Sequence, residues 1–337
     1  MRKLKGCRVT VTGGAGFIGS CLTEELLNRD CKVTVIDDFS TGTIQNIRHL
    51  TKNPSLRVVR EDLKNPRKLA KIVKEHDLIF HLAANPEVRV GQTAPKVHFE
   101  ENVLATFNLL EAVRRAGAEK TVIFTSTSTV YGEASEMPTP EDYGPLIPIS
   151  TYGASKLASE ALITSYVHTF SLKGLVLRLA NVVGAKSNHG VIFDFAKKIS
   201  ENSEELEILG DGTQEKSYLH VTDLTEALVH LTENCLENVG KTAIFNVGSE
   251  DRMTVKEIAR VVAGEMGFPK IRFRFTGGVD GGRGWKGDVK NMQLSIQKLL
   301  DTGWKPKYSS KQAVKRAAHE LVRELQKKRG YKSAGIS

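Results

Sequence analysis

Two periods of hydrophobic and polar residues take turns along this chain. Short β-branched runs read as strands: CRVTVTG (7–13), KVTVIDD (32–38), LRVVRED (56–62), DLIFHLA (77–83), TVIFTS (121–126) and LVLRLAN (175–181). Helical segments separate them. The first is FIGSCLTEELLNR, and two stretches, 97–116 and 151–170, are long and broadly apolar. Such βαβα alternation predicts an α/β fold with a doubly wound parallel (Rossmann) sheet, covered by helices on both faces. After residue 181 the order loosens into a helix near 191–200, short strands LEIL and SYLHV, a helix at 222–233 and a strand AIFNVG. A last helix near 310–326 sets Ala313, Val314, Ala317, Ala318, Leu321, Val322 and Leu325 at helical spacing. We therefore expect a nucleotide-binding domain over 1–180, to which about 219–250 also contributes. A smaller, interleaved substrate domain would span 181–330, with a basic tail at 331–337.

Composition narrows the class. A chain of 337 residues, 40% hydrophobic and 26% charged, buries a substantial core. It has no 18-residue apolar run and enters its first strand without a leader-like segment, so a cytoplasmic protein with no membrane partner is expected. Cys7, Cys21, Cys31 and Cys235 form no CxxC pair, which favours thiols in a reducing compartment and no metal site. The net charge of +9 includes Lys327, Lys328, Arg329 and Lys332 in the tail, which we read as a solvated end and not as a nucleic-acid surface. A pocket for a doubly phosphorylated ligand would use part of the remaining excess.

VTVTGGAGFIGS places glycines at 13, 14, 16 and 19, between a strand and a helix. Glycines there allow a tight turn and bring backbone N–H groups and a helix N-terminus up to a pyrophosphate. Asp37 ends the second strand, 18 residues past Gly19, where a carboxylate accepts from ribose hydroxyls and repels a 2′-phosphate. The next residues, Asp38, Phe39 and Ser40, include no arginine, so the expected cofactor is NAD. Asp62, at the end of the third strand, is either an acceptor for the adenine amine or a solvated strand end.

TYGASK (151–156) sets Tyr152 and Lys156 four positions apart on a helix. A lysine's charge favours tyrosinate and makes a useful base of a poor one. TSTSTVYGE (125–133) lies at the carboxyl end of the fifth strand, the edge where doubly wound sheets bind ligands.

With TGGAGFIGS, DDFSTG, HLAA, NVLATFNLLEA, TSTSTVYGE, YGASK, LRLANVVG, GDGTQEKSYLHVTD and GRGWKGD in this order, nearly the whole chain resembles the extended short-chain dehydrogenase/reductases. The match is to their NAD-dependent sugar-nucleotide epimerase/dehydratase family. The resemblance implies that Tyr152 is the base, that Lys156 binds the nicotinamide ribose and lowers the tyrosine's pKa, and that Thr127 holds the reacting sugar hydroxyl with Ser126 beside it. It also implies that Gly13, Gly16, Phe17, Ile18 and Gly19 surround the pyrophosphate. Asp38, Leu63, Leu82, Ala83, Ala84 and Asn102 would then lie along the cofactor.

On the substrate side, the resemblance assigns Asn181, Lys216 and Arg283 to the diphosphate and Asp288 to the nucleotide ribose. Lys216 stands where relatives often carry arginine. The family's 4,6-dehydratases follow the equivalent of Thr127 with an Asp-Glu pair, and its decarboxylases keep the glutamate. This chain has Ser128 and Thr129. The pattern implied is that of a 4-epimerase on a UDP-sugar, most similar to the short UDP-glucose 4-epimerases, which form dimers through the two long helices. Pro86 and Glu87 replace the lysine-containing segment of better-known relatives, and Met292 stands where a bulky tyrosine restricts some relatives to sugars without an N-acetyl group. Glucose/galactose, N-acetylhexosamines and uronic acids all stay open, and the alternatives are a 3,5-epimerase or reductase of the same family, or a non-catalytic NAD-sensing member that has kept the tyrosine–lysine pair.

Overall fold

The computed structural model describes residues 4–117, 120–234 and 242–333, with side chains of the last helix described as far as 326. Cys235 and the basic side chains of the tail lie outside the described residues.

Six strands follow in the first half: β1 (Arg8–Thr12), β2 (Lys32–Asp37), β3 (Leu56–Arg60), β4 (Leu78–His81), β5 (Thr121–Thr127) and β6 (Lys173–Leu179). Helices α1 (Phe17–Asn28), α2 (Pro66–Lys74), α3 (Pro95–His98), α4 (Ala105–Arg115) and α5 (Thr151–Phe170) connect them. The chain then leaves the sheet through β7 (Asn181–Val183), α6 (Val191–Glu201), β8 (Glu205–Ile208), β9 (Glu215–Lys216), β10 (Tyr218–His220) and α7 (Val221–Asn234). It returns as β11 (Thr242–Val247), so the seven-stranded sheet runs β11-β6-β5-β4-β1-β2-β3, parallel throughout. Order reverses between β1 and β4, and a cleft opens there at the carboxyl ends of the strands. β4 and β5 are buried along their whole length, as a sheet covered on both faces requires.

The remaining elements are β12 (Met253–Thr254), α8 (Val255–Glu265), β13 (Arg272–Phe275), β14 (Asn291–Met292), α9 (Gln297–Leu300) and α10 (Ser310–Ser333). Helices α6, α8 and α10 share one apolar core, with Phe195, Ile199, Ile258, Val262, Val314 and Leu321 buried in it. Beneath them β9 pairs with both β12 and β14, setting Lys216 beside Met292.

Helices α8 and α9 and the strands β7, β9, β12, β13 and β14 were not anticipated. α9 is a single turn, and α8 begins with a capping box of Thr254 and Glu257, a sequence signal that was available. Strands of two residues, such as β9, β12 and β14, carry no periodicity to read. The expected helix over 97–116 is instead α3, a π-helical turn at Phe99–Leu104, and α4. α5 matches its expected bounds: Ser150 caps it by accepting from the Gly153 amide at 3.0 Å, and left-handed Ser171 ends it.

Candidate active site

The glycine turn joins β1 to α1. Gly13 has φ +68°, and a Cβ there would lie 2.8 Å from the Ala83 nitrogen; one on Gly19 would lie 2.1 Å from the Gly13 oxygen. Turn, helix and the end of β4 therefore close on one another only because these positions lack side chains. Gly16 caps α1 with no side-chain hydrogen bond, which leaves the first amides of the helix to an anionic ligand.

Asp37 is buried at the end of β2, and its carboxylate accepts from the Ala15 amide at 2.8 Å and the Phe39 amide at 2.9 Å. Burial raises its pKa, and those two amides oppose the rise. The carboxylate thus fastens the end of β2 to the glycine turn. One cation was overlooked in the sequence. Arg60 is the cross-strand partner of Asp37, and its guanidinium lies over the Phe39 ring at 5.8 Å. Reading along the chain cannot find it, because it comes from the neighbouring strand.

The turn, β4, β5, α5 and the β9–β14 region enclose a cleft of about 500 Å³. Its walls include Gly13, Gly16, Phe17, Ile18, Gly19, Asp37, Asp38, Asp62, Leu63, Leu82, Ala83 and Ala84. Ser126, Thr127, Tyr152, Lys156, Asn181, Lys216 and Asp288 also face it. Two expected residues stand apart from this wall. Asn102 is buried; its Oδ1 accepts from the Asn85 amide at 2.8 Å and its Nδ2 donates to Ser155 Oγ at 2.8 Å. It joins the loop after β4 to α5. Arg283 pairs with Glu133 and donates to the Asp280 carbonyl. Cleft residues that the sequence did not single out are Trp285, Arg89 and His189. Arg89 and Lys216 each place their cation against the Trp285 ring, at 5.7 and 5.9 Å from its centroid.

At the reacting end, Tyr152 is half-buried and Lys156 is buried. Lys156 Nζ donates to the Thr125 carbonyl at 2.7 Å and lies 4.5 Å from the centroid of the Phe124 ring. Burial brings its pKa down to about 7, with Glu160 opposing. Tyr152 moves the other way: burial pushes the phenol up to about 12, against a hydrogen bond with Thr127. The expected lowering of the tyrosine's pKa is therefore not what the protein itself provides, because desolvation outweighs the neighbouring groups. Ser126 is not a free hydroxyl, since it donates to Glu160. Glu160 in turn forms a buried pair with Arg178 at 2.9 Å. Thr127 Oγ1 accepts from the Thr129 amide at 3.2 Å, and Ser128 and Thr129 continue the row of hydroxyls along the cleft.

Five of the carboxylates on the cleft are held by cations, Glu61 by Lys68, Asp62 by Lys64 and Asp194 by Arg89 among them. Glu87 pairs with Arg89 through bonds of 2.9 and 3.1 Å, which lower its pKa, and Asp288 pairs with Lys216 at 2.6 Å. Met292 lines the same end.

A glycine turn with an open helix end, an acidic close to β2 and a tyrosine–lysine pair over one cleft define a dinucleotide-dependent enzyme of the doubly wound class. More particularly, the chain belongs to the NAD dependent epimerase/dehydratase family, whose sequence pattern matches residues 9–248. Its cofactor is NAD. It is 32% identical to a putative UDP-glucose 4-epimerase of Methanocaldococcus jannaschii, over 92% of this chain and 97% of the relative. It is 34% identical to UDP-glucuronic acid decarboxylase 2 of Arabidopsis thaliana, over 93% and 67%. Among solved structures, a UDP-galactose 4-epimerase superposes with TM-score 0.84 at 43% identity, covering 94% of this chain and 99% of that one. A Bacillus cereus UDP-glucuronic acid 4-epimerase in complex with UDP-glucuronic acid and NAD gives TM-score 0.84 at 29% identity, covering 94% and 99%. Among the described residues, no helix is long and apolar enough to cross a membrane.

Proposed function

We propose that this protein is an NAD-dependent UDP-sugar 4-epimerase, with UDP-glucose and UDP-galactose as its first substrate pair. The observation that carries the reading is the row Thr127, Ser128 and Thr129 on the cleft wall with Tyr152, where hydroxyls stand and no carboxylate does. Elimination and decarboxylation call for an acid or base beside the oxidised sugar, whereas epimerisation at carbon 4 needs none beyond the group that handles the hydroxyl proton.

In this reading Thr127 holds the sugar hydroxyl and Tyr152 takes its proton. Bound NAD supplies the hydride acceptor and donor, together with the positive charge that lowers the phenol. Lys156, anchored on the Thr125 carbonyl, fixes the cofactor ribose next to Tyr152. Lys216 and Asn181 orient the diphosphate, and the hexose turns over in the cleft between two hydrogen transfers. Asp288, already bonded to Lys216, receives the nucleotide ribose. Arg283 would reach the diphosphate only by exchanging Glu133 for it.

A second reading keeps the reaction and changes the sugar to a UDP-uronate. It is supported by the likeness to the Bacillus cereus enzyme. Incubation with UDP-glucose, UDP-N-acetylglucosamine and UDP-glucuronate, with products resolved by NMR, decides between them. Conversion of none, or release of carbon dioxide or water, would overturn both.

We also propose that two copies associate through the face formed by α3, α4 and α5. Phe99, Phe107 and Phe170 are exposed there, which favours a second copy as cover. Sedimentation at a monomer mass under assay conditions would dismiss the dimer.

A further inference from the structure

His98 does not line the cleft, yet it touches two elements that build it. It ends α3 just before the π-helical turn, and its imidazole is buried. Nε2 lies 3.1 Å from the carbonyl oxygen of Glu87, in the loop that walls the cleft after β4. Nδ1 lies 2.8 Å from Oγ1 of Thr151, the first residue of α5 and the neighbour of Tyr152. The ring also meets the Tyr152 ring edge-on, with centroids 5.7 Å apart and planes at 60°.

The bonding pattern determines the tautomer. A carbonyl only accepts, so Nε2 carries the hydrogen, and Nδ1 is left to accept from the Thr151 hydroxyl. Burial lowers the imidazole's pKa, against the hydrogen bond to the Glu87 carbonyl and the carboxylates of Glu101 and Glu87. The fit is close from outside as well: a Cβ on Gly91 would lie 2.0 Å from Thr151 Oγ1 and 3.0 Å from the imidazole. One turn further on, Asn102 makes a similar connection between Asn85 and Ser155. Both ties run from one loop to successive turns of α5, the turns that carry Tyr152 and Lys156.

We propose that His98 is a positioning residue for Tyr152. It ties the cleft-walling loop at Glu87 to the start of α5, and so sets the angle at which the tyrosine ring enters the cleft. This rests on the reading of Tyr152 as the base. Catalysis is steep in such geometry, since a displacement of about 1 Å can cost roughly 100-fold in rate.

The test uses the full chain with NAD and whichever UDP-sugar the parent converts, at a temperature where circular dichroism shows each variant folded. His98→Leu fills the space without either hydrogen bond and should lower kcat by about 10- to 100-fold with KM within about threefold. It should also displace the limb of the kcat–pH profile that reports Tyr152. His98→Gln offers one donor and one acceptor and should restore most of the rate. A His98→Leu enzyme with the parental kcat and pH profile, whatever its melting temperature, overturns the proposal; so does a Gln variant as slow as Leu. If His98→Leu does not fold, Gly91→Ala takes its place: it wedges His98 from Thr151 and should show the same kcat loss, whereas a parental kcat in it counts against the proposal. A Tyr152→Phe enzyme at the parental rate would instead remove the reading of Tyr152 itself.

Discussion

Tyr152 and Lys156, one turn apart on α5, hold their protons in reversed order: burial pushes the phenol up to about 12 and brings the ammonium down to about 7. In free solution the two groups titrate close together, near pH 10. The same desolvation acts on both, and it moves them apart because it disfavours the anion of one and the cation of the other.

The first consequence concerns rate. If the ionised phenol takes the sugar proton, kcat/KM should climb with pH through the neutral range, since a group with a raised pKa loses its proton only as pH rises towards that value. Tyr152→Phe keeps the ring packed and removes the acceptor, so kcat should fall by ~10²–10⁴-fold while NAD still binds. Calorimetric titration of NAD with steady-state kinetics at several pH values checks both. A variant within a few-fold of the parent would mean that another group is the base.

Stability should respond to Lys156 with a definite sign. Its folded pKa, about 7, lies below the 10.5 of the free side chain. Between those values the unfolded chain binds more protons than the native one, so this group's contribution to stability rises with pH. Its cost is fully present below about pH 7 and is relieved as pH approaches 10.5. Lys156→Met removes the buried charge, and should be inactive yet gain about 1–4 kcal/mol at pH 6, with a smaller gain at pH 9. Melting curves at the two pH values decide it. A difference independent of pH would show that the lysine is not desolvated as described.

We predict that cofactor choice turns on two side chains across one strand pair, Asp37 and Arg60. Asp37→Ser should narrow the preference for NAD over NADP by roughly tenfold or more, because a charge of the phosphate's sign is removed at close range. Arg60, whose guanidinium lies over the Phe39 ring, would then be the cation that meets a 2′-phosphate. The double variant Asp37→Ser with Arg60→Gln should therefore lose most of the gain in NADP affinity. Affinities of both cofactors for the three proteins test this, and an unchanged ratio in Asp37→Ser would take the carboxylate out of the adenosine site.

What the sequence made legible follows from how local the cause was. Strands β1, β2 and β4 and the glycine turn are specified by neighbours in the chain, and so is the spacing of Tyr152 to Lys156. The long-range parts were not readable. Arg60 reaches the Asp37 region across the sheet, and Arg89 and Lys216 converge on Trp285 from separate elements. His98 meets Thr151 only because the chain folds back 53 residues later. Desolvation is also invisible in a sequence, and it reverses the expected shift of Tyr152. Arg283 shows the converse, a motif residue whose loop holds it on Glu133.

The last prediction follows the hydrogen on the sugar. A 4-epimerase removes the hydrogen of carbon 4 together with its electron pair and returns it to the same carbon on the other face, so that hydrogen never meets water. In the proposed mechanism Tyr152 handles only the hydroxyl proton, which exchanges with solvent and leaves no mark on carbon. Deprotonating carbon 5 or carbon 3 would need a separate base. Glu87 is held by Arg89 with its pKa lowered, and Glu133 is held by Arg283, so neither is placed to serve. Ser128 and Thr129 are hydroxyls, Thr129 bonded to Thr127, and among the described residues no carboxylate is hydrogen-bonded to either. Turnover of a UDP-hexose in heavy water should therefore yield the epimer with no deuterium on any ring carbon. A dehydratase or a 3,5-epimerase passes through an enol and would collect solvent deuterium at carbon 5 or carbon 3. Ring deuterium seen by NMR in step with product would remove the 4-epimerase assignment. The Glu87→Gln and Glu133→Gln variants would then show which carboxylate had escaped its arginine, since deuterium incorporation would disappear in one of them.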